Sequence, residues 1–253
     1  IGSASDAAVW IFDGPLDVGQ RGEGQLNIAA DGSVVSTGTA YICVGDYEGG
    51  VGTLRVEGEG STVIAPSSNL ALGLNGGTGL VTLENDASFT CDLALIGNYG
   101  PGRLLISDSK FACANILTSP KGMVILNNGT LCVTKVLGIL DGTLGGKGLI
   151  VAPDSNIGGV VTPGAVDLPI PTPKGLESPE EPIGALTFGG NVDVGSATLE
   201  IDVSGLAEGS YDVLHATGAV DIRDSTVIFS FIDGFLPQTG DTVPFLVADG
   251  GLA

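Results

Sequence analysis

A short pattern of alternating residues recurs along the first two thirds of the chain. It consists of a glycine, any residue, an apolar residue, any residue and a second apolar residue. Apolar side chains two positions apart are typical of a β-strand with one buried face. The copies return about every 20 to 28 residues, a period that indicates a repeat architecture. They are Gly24–Ile28, Gly52–Val56, Gly79–Leu83, Gly102–Ile106 and Gly122–Leu126, with a weaker sixth copy at Gly148–Ala152.

Two further short strands accompany most copies. Leu70 and Leu72 mark a strand that precedes the pattern, and Ser61–Ile64 is a strand that follows it. Turns rich in Gly, Asn and Asp, such as Asn75–Thr78, separate the strands and tolerate positive φ. One such coil cannot bury its inward residues alone, but coils stacked about 4.8 Å apart pair every backbone group around an aliphatic column. The pattern therefore predicts an all-β fold, a right-handed parallel β-helix (β-solenoid).

One unit of the repeat resembles a known group of sequences. Residues Val44–Val56 are similar to the repeat of autotransporter (type V secretion) passengers and PEP-CTERM-associated proteins of the bacterial surface, and Leu72–Gly79 and Ile96–Gly102 match as well. Residues Gly142–Gly148 and Gly158–Gly164 resemble a later stretch of such passengers. The resemblance implies export, a secreted or cell-surface location, and a role as a structural or adhesive scaffold or a component of a biofilm matrix.

Three segments are predicted along the chain. Residues 1–166 form the repeat β-solenoid. Residues 167–182 are proline-rich, and because proline cannot donate to a strand ladder, we expect an exposed excursion or linker there. Residues 183–253 return to strand-like alternation and are predicted to be C-terminal coils that continue the same stack.

Composition and charge narrow the partners. The chain has 253 residues, with 29 acidic against 9 basic side chains and a formal net charge of −20. Phosphate binding needs clusters of Lys and Arg, so we expect no nucleic-acid partner. The sequence has no apolar run of 18 residues, and we expect no membrane insertion by this segment.

Residues that carry chemistry are sparse. His215 is the one histidine, and no His and Cys spacing typical of a metal site occurs. Asp221, Asp224 and Asp233 lie close together in sequence, but a solvated face explains them as well as calcium does. We therefore expect no cofactor, no metal and no enzyme activity. The alternative is a carbohydrate-active β-helix enzyme, a polysaccharide lyase or hydrolase. Hydrolysis needs two positioned carboxylates, and lyases of this shape generally need a basic residue beside acidic calcium ligands.

Three cysteines, Cys91, Cys113 and Cys132, end short strands at spacings near one coil. Equivalent residues of successive coils lie about 4.8 Å apart, inside the Cα range of a disulfide. Two interpretations stay open, a disulfide column favoured by export or small apolar side chains packed in the core. Cys43 lies in a different strand position, so we expect it to stay unpaired.

The first apolar strand supplies a candidate edge for self-association, formed by Trp10, Ile11 and Phe12. An open strand edge templates further pairing, so this strand either caps the first coil or docks on a neighbouring copy. We therefore expect a homo-oligomer or filament. A surface carbohydrate is a further candidate partner, for which exposed aromatics at equivalent turns, Tyr47 and Tyr99, are the one hint.

Overall fold

A computed structural model describes residues 7–164, 166 and 183–253. All regular elements in these residues are β-strands, and the pairings between the named strands are parallel. The strands stack as a β-solenoid of about nine turns, which confirms the predicted all-β solenoid class. The proline-rich excursion predicted at 167–182 lies outside the described residues.

Twenty-two strands form within the described residues. They are β1 (Val9–Phe12), β2 (Leu16–Val18), β3 (Glu23–Ile28), β4 (Ser33–Ser36), β5 (Tyr41–Val44), β6 (Val51–Glu57), β7 (Thr62–Leu72), β8 (Thr78–Glu84), β9 (Ser88–Ile96), β10 (Gly102–Ser107), β11 (Lys110–Thr118), β12 (Gly122–Ile139), β13 (Thr143–Val151), β14 (Asp154–Ile157), β15 (Val160–Pro163), β16 (Ala185–Phe188), β17 (Asn191–Asp193), β18 (Thr198–Val203), β19 (Val213–Ala216), β20 (Val220–Asp221), β21 (Thr226–Phe231) and β22 (Leu246–Ala248).

Three parallel sheets run along the solenoid, and the chain visits them in the order B, C, A. Sheet A contains β3, β6, β8, β10, the first parts of β12 and β13, β15, β18 and β21. Sheet B contains β1, β4, the first parts of β7, β9 and β11, the middle of β12, the end of β13, β16, β19 and β22. Sheet C contains β2, β5, the last parts of β7, β9, β11 and β12, and then β14, β17 and β20.

The repeat glycines form one row across sheet A. Gly52 pairs with Gly24 and Gly79, and Gly102 pairs with Gly79 and Gly122. The residue alternation that follows each glycine is therefore in register over five coils, as the sequence pattern predicted.

The weaker sixth copy was placed wrongly. Gly148 pairs with Gly129 in sheet B, while the sheet A strand of that coil begins at Thr143, which pairs with Met123. The coils shorten in this region, so the next sheet A strand arrives earlier in the sequence. The sequence analysis took Gly148 as the start of the sheet A strand, but this glycine already lies one corner later, in sheet B.

The interior is a continuous aliphatic column. Along sheet A, the side chains that occupy one row and are fully buried are Leu54, Val81, Leu104, Val124 and Leu144. Burying such a side chain contributes about 1.5–3 kcal/mol relative to leaving it exposed. Because every coil adds to the same column, neighbouring coils stabilise one another.

Glycine at the corner between sheets C and A is required by close approach as well as by backbone conformation. Gly73 has φ +68°, and a Cβ there would lie 2.4 Å from the carbonyl oxygen of Pro101 in the next coil. Gly45, one coil earlier, has φ +70° and the same conflict with Thr78. The tight stacking of coils at this corner leaves no room for a side chain.

The strands on both sides of residues 167–182 belong to one stack. In sheet B, β13 pairs with β16, and in sheet A, β15 pairs with β18. The C-terminal coils therefore extend the same three sheets.

Candidate interaction surfaces

The predicted self-association edge divides into two kinds of residue. Strand β1 pairs with β4 on one side, where Trp10 lies opposite the core residue Val34. Trp10 and Phe12 thus turn toward the interior and contact each other, with ring centroids 5.6 Å apart. Ile11 points the other way and is 63% exposed. Among the described residues β4 is the one strand that pairs with β1.

A second apolar edge, which the sequence analysis missed, lies on β21. Phe229 and Phe231 pair with the core residues Ile201 and Val203, yet both aromatic rings remain partly exposed. Phe245 packs edge-on against Phe229 at 5.2 Å. The sequence did contain a signal for this edge. Phe229 and Phe231 are two positions apart, so strand alternation places both rings on the same, inward side of the strand.

Long connections gather at one corner of the solenoid, between sheets A and B. Residues 85–87 suffice to join β8 to β9, but 204–212 join β18 to β19 and 232–245 join β21 to β22. The chain segment between β15 of sheet A and β16 of sheet B is also long, but its residues 167–182 lie outside the described part of the chain. We call the corner between sheets A and B the A–B corner. Its loops expose Leu206 and Leu236, the latter at 80%.

Sheet A also carries apolar side chains on its outer face. Leu80, Leu105, Ile125 and Val166 form a separate buried cluster with Met123 against it. Leu80, Leu105 and Ile125 alternate with the core residues of their strands and so point outward, although Ile125 is only 2% exposed. The unbroken apolar run Val124-Ile125-Leu126 was the sequence signal for a strand buried on both faces.

Tyr47 and Tyr99 lie at equivalent corners between sheets C and A, two coils apart. Tyr47 forms an antiparallel bridge with Gly76, and Tyr99 forms one with Leu74. The guanidinium of Arg21 lies 4.8 Å from the ring centre of Tyr47, a cation–π contact. Tyr99 is strongly exposed, so it is available to a ligand.

Two of the three column cysteines lie together. Cys91 and Cys113 pair in register in sheet B, and both side chains join the core. Cys132 does not share their row, because it pairs with Ala112 while Val133 lies opposite Cys113. Strand alternation explains the difference, since Leu131 and Val133 point inward and Cys132 between them points outward.

Cys43 lies in sheet C, paired with Asp17 and Ala71, away from the other cysteines. Burial, the carboxylates of Asp17 and Asp46, and a hydrogen bond to Asp17 raise the pKa of its thiol to about 12. The thiolate is therefore scarce at neutral pH, and Cys43 is a poor nucleophile.

The remaining candidate ligands are dispersed. His215 Nε2 lies 3.1 Å from Asp249 Oδ2 at the surface of sheet B.

The three aspartates considered as calcium ligands do not form a site. Asp221 forms an ion pair with Arg223, which lowers the pKa of Asp221 to about 2. Asp224 and Asp233 have positive φ, which places them at turns. Within the described residues there is no group of three or more His, Cys, Asp or Glu arranged to hold a metal ion.

A buried carboxylate, missed by the sequence analysis, stands at the base of the A–B corner loops. Asp212 accepts hydrogen bonds from the backbone N–H of Gly184 at 2.8 Å and of Asp202 at 2.9 Å. Its side chain therefore ties the loop 204–212 to two neighbouring stretches of chain. Burial raises the pKa of Asp212 to about 7, although both backbone donors favour the charged form.

Comparison with known proteins adds no relative. No family model, no curated protein and no solved structure matches the chain significantly. In the described part of the chain no helix could cross a membrane.

Proposed function

We propose that the protein is a structural and adhesive scaffold of the bacterial surface, in which the solenoid is a spine that displays the A–B corner. One observation carries this proposal: the lengthened connections 204–212 and 232–245 occur at a single corner, while the other two corners stay short. Insertions on one side of a repeat stack are typical of a binding face.

The spine suits this role for a physical reason. Each coil is joined to the next by three sets of backbone hydrogen bonds and by the shared aliphatic column. Loops anchored on such a stack keep fixed spacings, so several weak contacts act together on one surface. The extracellular location is part of the proposal and rests on the resemblance of Val44–Val56 to exported passengers.

Adhesion of protein-coated beads to polysaccharide-coated glass tests the binding face. Replacing both Leu206 and Leu236 by Ser removes exposed apolar contacts of the A–B corner. We expect bead retention under flow to fall at least about tenfold, since two exposed apolar contacts of about 1 kcal/mol each are lost on many molecules. The matched control, Val136→Ser with Leu140→Ser, alters exposed apolar residues elsewhere and should leave retention unchanged. Equal retention by both variants would contradict the assignment of the face.

Self-association of the spine is a second candidate, favoured by the exposed apolar side chains of β1. A second copy that places a strand beside Val9–Phe12 would pair its backbone and cover Ile11. Light scattering should then show the average mass rising above 25.2 kDa with concentration. Ile11→Lys should hold the mass at the monomer value, while Val51→Lys, an exposed residue of an inner coil, should behave as wild type. A constant monomer mass for the wild-type protein would refute self-association.

The absence of enzyme activity remains a prediction. Depolymerisation assays on acidic polysaccharides, with and without calcium, separate the scaffold from a lyase or hydrolase. Cleavage of the polysaccharide by the wild-type protein, but not by a heat-denatured sample, would favour the enzyme.

A further inference from the structure

Cys91 and Cys113 face each other across two neighbouring coils. They are direct partners in the pairing of β9 with β11, and both side chains point into the core. Two residues earlier in each strand, Phe89 and Phe111 also pair and stack with ring centroids 5.2 Å apart. The stacked rings hold the two strands in one register, so the cysteines cannot slip apart.

The spacing of these residues fits a covalent bond. Neighbouring parallel strands lie about 4.8 Å apart, which falls within the Cα separation of about 4.4–6.8 Å found in disulfides. Both side chains occupy the inward row of their strands, so they extend in the same direction from neighbouring positions of the sheet. Ala65 pairs with Cys91 and Val133 with Cys113, which encloses the sulfur pair between two small or medium apolar side chains.

We propose that Cys91 and Cys113 are a cross-link site, at which an oxidising small disulfide joins the two coils by an intrachain disulfide bond. A Cys thiolate attacks the oxidant disulfide, forms a mixed disulfide and releases one thiol. The second Cys then attacks the mixed disulfide, so that the S–S bond between the coils forms and a second thiol leaves. The two cysteines lose two electrons and two protons, and the oxidant disulfide is reduced to two thiols.

The access of the oxidant to the two buried thiols determines when this reaction takes place. The neighbouring Cys113 thiol and burial raise the pKa of the Cys91 thiol, so the folded core holds it protonated. Thiolate attack is therefore slow in the closed solenoid and faster while the coils assemble. Once formed, the bond is shielded from external reductants by the same burial.

The other two cysteines provide matched controls in the same chain. Cys132 points outward opposite Ala112, and Cys43 lies in sheet C opposite Asp17 and Ala71. Neither has a cysteine opposite it in a neighbouring strand, so the geometry assigns the cross-link to one pair out of four cysteines.

Refolding of the full chain in oxidised and reduced glutathione tests this proposal. The product is denatured, alkylated with iodoacetamide and digested for mass spectrometry. We expect alkylation at Cys43 and Cys132 only, with a linked peptide that contains Cys91 and Cys113. Four alkylated cysteines, or a cross-link that includes Cys43 or Cys132, would overturn the assignment.

The thermal midpoint gives an independent readout on the same samples. A cross-link that closes a loop of this size should raise the midpoint by about 5 °C relative to the reduced protein. Cys113→Ala should give the same midpoint after either refolding, while Cys132→Ala should keep the difference. A midpoint difference that persists in Cys113→Ala would overturn the assignment, because the stabilising bond would then not involve Cys113.

Discussion

Arg55 joins two coils by donating to Glu84, from Nε at 2.8 Å and from Nη2 at 2.6 Å, both to Oε2. Glu84 lies directly opposite Glu57 in sheet A, so two carboxylates are stacked on neighbouring strands. The same guanidinium contacts Glu57 at 3.0 Å. Arg55 thereby offsets the repulsion that like charges in opposing positions would cause.

Arg55→Gln should lower the free energy of unfolding by about 0.5–1 kcal/mol at low salt, because the pair is partly exposed and screened by solvent. The loss should shrink in 1 M NaCl, since salt screens the two unpaired carboxylates. Urea denaturation at both salt concentrations measures the difference. A double-mutant cycle with Glu84→Gln isolates the pair, and a coupling energy of zero would show that the contact adds nothing.

Gly73→Ala should destabilise the solenoid far more than an ordinary glycine substitution. Besides the positive φ of +68°, the new Cβ would lie 2.4 Å from the carbonyl oxygen of Pro101. Gly49→Ala is the control, because Gly49 has φ +81° with no atom within 4 Å of the added carbon. We expect a loss of about 1 kcal/mol for the control and at least about 2 kcal/mol more for Gly73→Ala, as read from denaturant midpoints. Equal losses would show that the coils can move apart at this corner.

Phe111→Ala should cost about 3–5 kcal/mol, because it removes a fully buried ring that stacks on Phe89 and leaves a cavity. Phe231→Ala removes a ring that is already partly exposed, so its cost should stay near 1 kcal/mol. Chemical denaturation followed by circular dichroism compares the two. A larger loss for Phe231→Ala would place the centre of stability in the last coils.

Asp212 should make stability fall as pH rises from about 4 to about 7. Its folded pKa, about 7, lies above the value of an unfolded Asp, so the folded state binds the proton more tightly in that window. The contribution is fully present below pH 4 and is lost as pH rises through 7, by on the order of 2–4 kcal/mol. Asp212→Asn stays neutral and should remove this slope. Identical pH profiles of the two proteins between pH 4 and 7 would refute the shifted pKa.

The sequence pattern predicted the spine because each local rule pointed to the same structure. Glycine in the row that contains Gly52 and Gly79 is required because an added Cβ would meet backbone carbonyl oxygens of Val18 and Val44. Strand alternation decides which side chains enter the core. These constraints repeat in every coil, so they leave a readable period. The error at Gly148 arose where coils shortened and the period no longer marked the sheet A strand.

Features that depend on exact register were harder to predict. Cys132 has nearly the right interval from Cys113, yet a shift of one residue turns its side chain outward. The contacts of Asp212 with Gly184 and Asp202 join distant stretches, and no short motif encodes them. The concentration of long loops at the A–B corner becomes visible only when each strand is assigned to its sheet.

The strands before residue 167 and those after residue 182 belong to one stack, so the distance between these two parts of the spine is fixed. In sheet A, Thr53 and Thr198 occupy the same outward row, six coil spacings apart. Thr53 and Thr143 occupy that row four spacings apart, and both precede residue 167 in the chain. Pairs of nitroxide labels at these positions, on a chain with its four cysteines replaced by Ala, can be compared by double electron–electron resonance. We expect narrow distributions centred at about 29 Å for the first pair and about 19 Å for the second. A narrow second distribution together with a broad or much longer first one would contradict the single continuous spine.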